Sequence, residues 1–183
     1  LSLACGLCTI QCLCQFLQLS KSSAQSLGLG LKWPNDLLIG DRKFGGILVE
    51  GGQKSIQEPI WMVIGIGLNM DLPNQTTNHL MTANLTELNV NHLSLNMDTL
   101  WKELTVSLGH TLEIFSQSGF GGFKDAWNEW DLWHNQTVIL HQESTKILQG
   151  NNLGVNEKGY LLLETPLGIK EISSGDLSLS KEN

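Results

Sequence analysis

The sequence predicts an α+β chain in two parts: helices with a β-sheet over residues 1–133, then a small all-β unit over 134–183. Three observations carry this reading. The chain opens on an apolar helical stretch. Apolar runs separated by turn signals fill residues 29–68. From His134 onward short β-like pieces recur with a turn about every ten residues. A length of 183 residues allows one domain, or one with a small second unit. A hydrophobic share of 41% with 16% charged residues excludes a disordered chain and a membrane-spanning one. Eleven basic against eighteen acidic residues give −7, and Arg42 is the sole arginine. That balance argues against nucleic acid as a partner through this segment.

In the first element Leu3, Leu7, Ile10, Cys14 and Leu17 recur at helical spacing, and Cys5, Cys8 and Cys12 form a second apolar stripe. Gln11, Gln15 and Gln18 make the one wet edge. A helix apolar on two sides is a buried layer helix, in which free cysteine packs as a small hydrophobe. The four cysteines are read as core and not as a metal site, because cluster and zinc ligands come mostly from loops. The segment has no basic lead-in and is too short to span a bilayer. Unpaired cysteines suit a reduced, cytoplasmic setting. The sequons at Asn74, Asn84 and Asn135 carry no weight without a secretory signal.

Lys21-Ser22-Ser23 reads as a polar hinge. Strands are expected at Leu29–Trp33, Leu37–Ile39, Phe44–Glu50 and Ile60–Leu68, the last as a buried strand because its apolar run is nearly continuous. Pro73–His79 reads as a loop. A helix is expected from an Asp98 N-cap, with Trp101, Leu104, Leu108, Leu112 and Phe115 on one face. Phe123–Trp133 reads as a short closing helix whose Trp127, Trp130 and Trp133 pack in the core or between units. Val138–His141, Lys146–Gln149, Tyr160–Leu163 and Ile169–Ile172 are then the strands of a small barrel leaning on the part before it.

Two phosphate motifs fail. Gly65-Ile66-Gly67 has Met70 where a dinucleotide fingerprint needs its third glycine, and no amphipathic helix follows. Gly46 to Gly51 has the P-loop interval but Gly52 in place of its lysine. The five histidines are scattered. The constellation that carries chemistry is Lys32-Trp33-Pro34-Asn35-Asp36 with Asp41-Arg42-Lys43-Phe44-Gly45-Gly46-Ile47-Leu48-Val49-Glu50. A hairpin would bring Asp36 and Lys43 to one mouth. A lysine there suits a carboxylate or phosphate, and the glycines let a flat ligand approach the backbone. The alternative is a solvated surface pair.

These two blocks, with G-I-G-L-N at Gly65–Asn69, G-Y-L-L-L-E at Gly159–Glu164 and S-G-D-L-S-L at Ser174–Leu179, resemble the biotin protein ligases in order and spacing over essentially the whole chain. The resemblance implies part of a mixed β-sheet with helices like that of class II aminoacyl-tRNA synthetases, followed by an SH3-like β-barrel. It implies biotin, ATP and Mg2+, giving biotinyl-adenylate, and transfer of biotin to a lysine of a biotin carboxyl carrier protein or carboxylase domain. Lys43 would hold the biotin carboxylate and the adenylate, and Asp36 would orient or deprotonate the carrier lysine. Lys32, Asn35 and Asn69 would lie on the ATP side, and Gly46, Ile47, Gly65 and Gly67 would wall the biotin.

The family's Arg/Gly-rich loop and its S-T-N turn are not found in these 183 residues. The chain is therefore read as an N-terminally truncated piece, weak or inactive alone. An exposed sheet edge would then favour a homodimer. A non-catalytic docking fragment and a lipoate-type acyl ligase are the competing readings.

Overall fold

The computed structural model describes residues 1–55, 57–70, 82–91, 93, 96–143, 145–173 and 177–181. Helix α1 (Ser2–Phe16) is buried on most sides, and its exposed positions are the expected glutamines, Gln11 and Gln15. It packs against the long helix α3 (Met97–Ser118) and against strand β3 (Arg42–Gly52). All four cysteines are free and buried in this layer. Burial, the largest influence, pushes the Cys5 and Cys12 thiols up to about 11, where they are inert.

The stretch expected as a hinge is a short helix, α2 (Lys21–Ser26). Ser20 caps it by accepting a hydrogen bond from the Ser23 N–H. The first sheet is an antiparallel meander, β1 (Leu29–Lys32), β2 (Asp36–Ile39), β3 (Arg42–Gly52) and β4 (Trp61–Leu68). Strand β4 is not buried as its composition predicted. Among the described residues it is an edge, and Trp61, Met62 and Val63 are each about half exposed (49%, 52% and 58%). Only Ile64, Ile66 and Leu68 pack on the core. Hydrophobicity alone does not distinguish a strand covered on two faces from one covered on a single face.

Helix α3 begins one residue before the expected cap, with Asn96 accepting from the Thr99 N–H. Its buried face is Leu100, Leu104 and Thr111, flanked by Leu108 and Phe115, whereas Trp101 is largely exposed. The expected closing helix stops early: α4 spans only Lys124–Asn128, and turns carry Trp130 and Trp133 into the core. The Pro73–His79 loop, the Asn74 sequon and Ser174–Asp176 lie outside the described residues.

The last part forms one antiparallel sheet, ordered β8-β7-β6-β5-β9. Its strands are β5 (Thr137–Gln142), β6 (Thr145–Val155), β7 (Leu161–Thr165), β8 (Gly168–Ile172) and β9 (Leu177–Lys181). The strands expected here are present, β6 much longer, and β9 is additional. Among the described residues no β8–β9 pairing closes the sheet, so the expected barrel is open.

The two sheets share one hydrophobic cluster, and the turn between them is stitched to both. Leu31 donates to the Trp130 carbonyl at 2.7 Å, and Leu132 donates to the Leu31 carbonyl at 3.0 Å. Asn152, wholly buried, donates to Asp131 Oδ2 at 2.8 Å and to the Trp133 carbonyl at 3.0 Å, while its own oxygen accepts from the Gly154 N–H. Buried polar atoms tied this way specify one docking geometry, since a shift would leave them unpaired. Asn152→Ala should therefore lower unfolding stability by roughly 3 kcal/mol, read by urea denaturation.

Gly45 meets a different constraint. A Cβ there would stand 2.6 Å from the Gly67 carbonyl oxygen and 3.0 Å from Leu37 Cδ1. Gly45→Ala should cost about 1–3 kcal/mol by overpacking, visible as a lower thermal midpoint.

Candidate functional site

The register of the first sheet builds the site. Asp36 lies opposite Lys32 on β1 and opposite Gly46 on β3. Between β2 and β3 the register slips: Leu37 faces Gly45, but Leu38 faces Lys43, which leaves Phe44 as an extra residue. Strict alternation would put Lys43 and Gly46 on opposite faces. The bulge puts both on the outer face, while Phe44 and Ile47 turn into the core at 0% and 2% exposure. A Cβ on Gly46 would lie 3.4 Å from Lys43 Nζ, so the ammonium rests directly over that glycine.

Asp36 sits between two ammonium groups. Lys32 Nζ is 2.8 Å from Oδ2 and Lys43 Nζ is 2.5 Å from Oδ1. Burial, the largest single influence, opposes ionisation. The charges and hydrogen bonds of Lys32 and Lys43 together outweigh it and hold the carboxyl below its ordinary value.

The two pairs are not equivalent. The Lys32 and Asp36 side chains are 14% and 12% exposed, whereas Lys43 is 53% exposed. Breaking the covered pair would leave a buried charge and cost about 3–5 kcal/mol. The half-solvated Lys43 pair is worth about 1 kcal/mol or less. Lys43 can therefore turn to an incoming anion at low cost, because Lys32 keeps Asp36 neutralised.

In front of Lys43 lies an open groove of about 420 Å³. Lys43 and Asn35 stand at one end, Gly46, Gly65 and Gly67 line it, and Leu48 stands 59% exposed at its side. Gly46 pairs with Gly67 and Leu48 with Gly65 across β3 and β4. Nothing lies within 4 Å of a Cβ added at Gly67, so the missing side chain is open space. Asn35 donates to the Ile47 carbonyl at 2.9 Å and its own carbonyl accepts from the Ile47 N–H, which pins the β1–β2 turn to β3.

The structure thus gathers Lys43, Asn35, Gly46, Ile47, Gly65 and Gly67 around one groove, with Asp36 behind Lys43. Ile47 belongs to it by its strand position only, since its side chain is in the core. Lys32 and Asn69 do not line it. Lys32 faces Asp36 and the second sheet. Asn69 donates to the Ala83 and Lys43 carbonyls at 3.1 and 3.4 Å, and so braces the start of β3. Arg42 is held away from the groove by Glu87 and the Thr82 carbonyl. Leu48 and Ile66 are the lining residues that motif reading missed; the pairing of Leu48 with Gly65 is the signal for the first, and the place of Ile66 between Gly65 and Gly67 for the second.

Asp36 is the carboxylate next to Lys43, and both its oxygens are taken by ammonium groups. Among the described residues no three His, Cys, Asp or Glu side chains gather to hold a metal. These donors therefore do not form a Mg2+ cage. No helix among the described residues is long and apolar enough to cross a membrane.

Residues 7–69 match the Biotin/lipoate A/B protein ligase family, and residues 134–180 match the biotin protein ligase C-terminal domain. The bifunctional ligase/repressor BirA of Escherichia coli is 34% identical over 149 residues, covering 81% of this chain and 46% of that protein. BirA of Bacillus subtilis is 28% identical over 157 residues, covering 85% and 48%. The chain thus spans about half the length of the curated relatives it matches. Biotin protein ligase from Aquifex aeolicus superposes with a TM-score of 0.80 at 26% identity, over 99% of this chain and 74% of that one. Its complex with biotin and ATP superposes at 0.79, over 99% and 71%. Both sheets, the Lys43 groove on the first of them, and the two matched segments agree on one assignment: the chain belongs to the biotin protein ligase family.

Proposed function

We propose that the groove binds biotin and its adenylate, and that the chain serves ATP-dependent biotinylation of a lysine on a biotin carboxyl carrier protein or carboxylase domain. One observation carries this most: a half-exposed ammonium, Lys43, poised over a glycine-lined groove, with its own counter-ion already neutralised by a second lysine. In the first step a biotin carboxylate oxygen attacks the α-phosphorus of ATP and pyrophosphate leaves. In the second, the carrier amine attacks the acyl carbon, AMP leaves and the amine loses a proton.

Lys43 holds the carboxylate and then the acyl phosphate, as preorganised positive charge. Gly46, Gly65 and Gly67 admit the flat ring system against the strands, with Leu48 as apolar cover. Asn35 holds the turn at the ATP end; Lys32 and Asn69 serve that end through the strands they brace. Mg2+ arrives as substrate on the ATP phosphates, since these residues offer it no free carboxylate. Asp36, with its carboxyl below the ordinary range, is a weak base and a good orienting anion. It positions Lys43 and then the incoming carrier ammonium. The match over residues 134–180 favours biotin over lipoate. A cytoplasmic location and a homodimer formed through the exposed sheet edge complete this reading.

Calorimetry of the purified chain with biotinyl-adenylate, beside carrier-domain biotinylation with Mg-ATP, tests it. Saturable one-to-one adenylate binding is expected; a folded chain that binds no adenylate would overturn the assignment, and binding of lipoyl-adenylate in preference would favour the lipoate reading. Lys43→Ala should weaken adenylate binding by about ten- to a hundredfold. Gly67→Val should keep the unfolding free energy within about 0.5 kcal/mol of the wild type, because its Cβ meets nothing, yet abolish binding by filling the groove.

The depressed Asp36 carboxyl also fixes a sign. Its ion pairs stabilise the fold fully above the unfolded carboxyl value, about pH 4. They are lost as pH falls through the lower folded value. The stability gap between the wild type and Asp36→Asn should therefore be largest near neutrality and shrink below about pH 4, measured by thermal melts across that range.

A further inference from the structure

Lys32 is the site residue that the groove itself leaves unexplained. It is nearly covered and never reaches the groove, yet it makes the better-shielded of the two pairs with Asp36. Its ammonium has two further neighbours, one from the turn leading to the C-terminal part and one from the last strand of that part. The Trp133 ring centroid is 4.9 Å away, and the Leu179 carbonyl of β9 accepts at 3.4 Å. Lys181, two residues on, lies 5.6 Å from the same ring and pairs with Asp41 in the β2–β3 turn.

The Trp133 indole N–H is buried and has no hydrogen-bond partner among the described residues. The N–H therefore does not set the ring's orientation. That orientation does present a π face to two ammonium groups, the geometry that attracts cations most strongly to tryptophan. Buried unpaired donors are rare enough to need such a reason.

We infer that Trp133 and the Leu179 carbonyl seat Lys32, and that Lys32 is a positioning residue for Lys43, acting through Asp36. The C-terminal sheet thereby sets how the groove's cation is held. The contact series is Trp133 ring, Lys32 ammonium, Asp36 carboxylate, Lys43 ammonium, with no gap longer than a direct contact. Removing Lys32 leaves Asp36 with Lys43 as its only ammonium partner, which draws Lys43 back from the groove. The consequence for ligand binding rests on the function proposed above; the positioning itself does not.

The test labels lysine side chains with 15N and Asp36 with 13C, and reads the Lys43 ammonium and Asp36 carboxyl signals at pH 7. Lys32→Gln should move both signals and weaken biotinyl-adenylate binding by about tenfold. Lys32→Arg, which keeps the charge and the stacking, should restore them. Trp133→Phe, a milder change in the same seat, should move both signals in the same direction by less, and it carries the test if Lys32→Gln does not fold. Lys181→Gln loosens β9 without touching Lys32 and should leave both signals in place. Unmoved Lys43 and Asp36 signals in the folded Lys32 or Trp133 variant would overturn the inference. So would a Lys181→Gln effect as large as that of Trp133→Phe, because the route would then be general docking. Signals that respond as expected in a chain that binds no adenylate would uphold the positioning and overturn the proposed function instead.

Discussion

A carboxylate as covered as Asp36 must be paired, and its two partners come from different strands. That requirement organises the surrounding structure. Lys32 must sit across from Asp36 on β1, and Lys43 must reach it from β3 past a register slip. The turn between Lys32 and Asp36 must hold its shape, which the Asn35–Ile47 hydrogen bonds ensure. The same arrangement divides labour between the lysines. The shielded pair carries the electrostatic stability, and the solvated pair leaves its ammonium available. A single lysine could not neutralise Asp36 and serve a ligand at once.

The groove depends on what is missing as much as on charge. Gly46 and Gly67 face each other across β3 and β4, so the outer face of the sheet is bare where Lys43 points. Gly45, one residue away, is glycine for another reason: it lies against the Gly67 carbonyl and admits no Cβ. Adjacent glycines thus separate into one that serves packing and one that opens a surface. The pattern G-G shows neither role until the bulge assigns each residue a face.

The C-terminal sheet is more than an appendage to this site. The Asp131–Asn152 network fixes the turn between the sheets, and burial pushes the Asp131 carboxyl up, the cost of placing an acid there. That turn delivers Trp133 to Lys32, and β9 delivers the Leu179 carbonyl and Lys181 to the same hairpin. On the opposite side, α1 and α3 form an apolar layer in which the cysteines have no chemistry to perform. The reactive face and the packed face of the first sheet are therefore cleanly separated.

Much of this was legible in the sequence. The α+β class, the first-sheet strands, the buried cysteine helix and the Asp36–Lys43 encounter follow from periodicity and turn residues, because these act over a few neighbours. The family followed from motif order along the chain. Other features needed the folded structure. Strand β4 reads as buried by composition but lies at an edge, since coverage depends on what packs against it. Lys43 and Gly46 share a face only because β3 bulges against β2. Lys32 looked like a ligand residue by position in its motif, whereas its contacts run to Trp133 and Leu179, about a hundred and a hundred and fifty residues later. Local chemistry is written in consecutive residues; which face is bare, which charge is covered and which lysine is free are set by pairing register and by contacts between distant segments, and only the tertiary structure decides them.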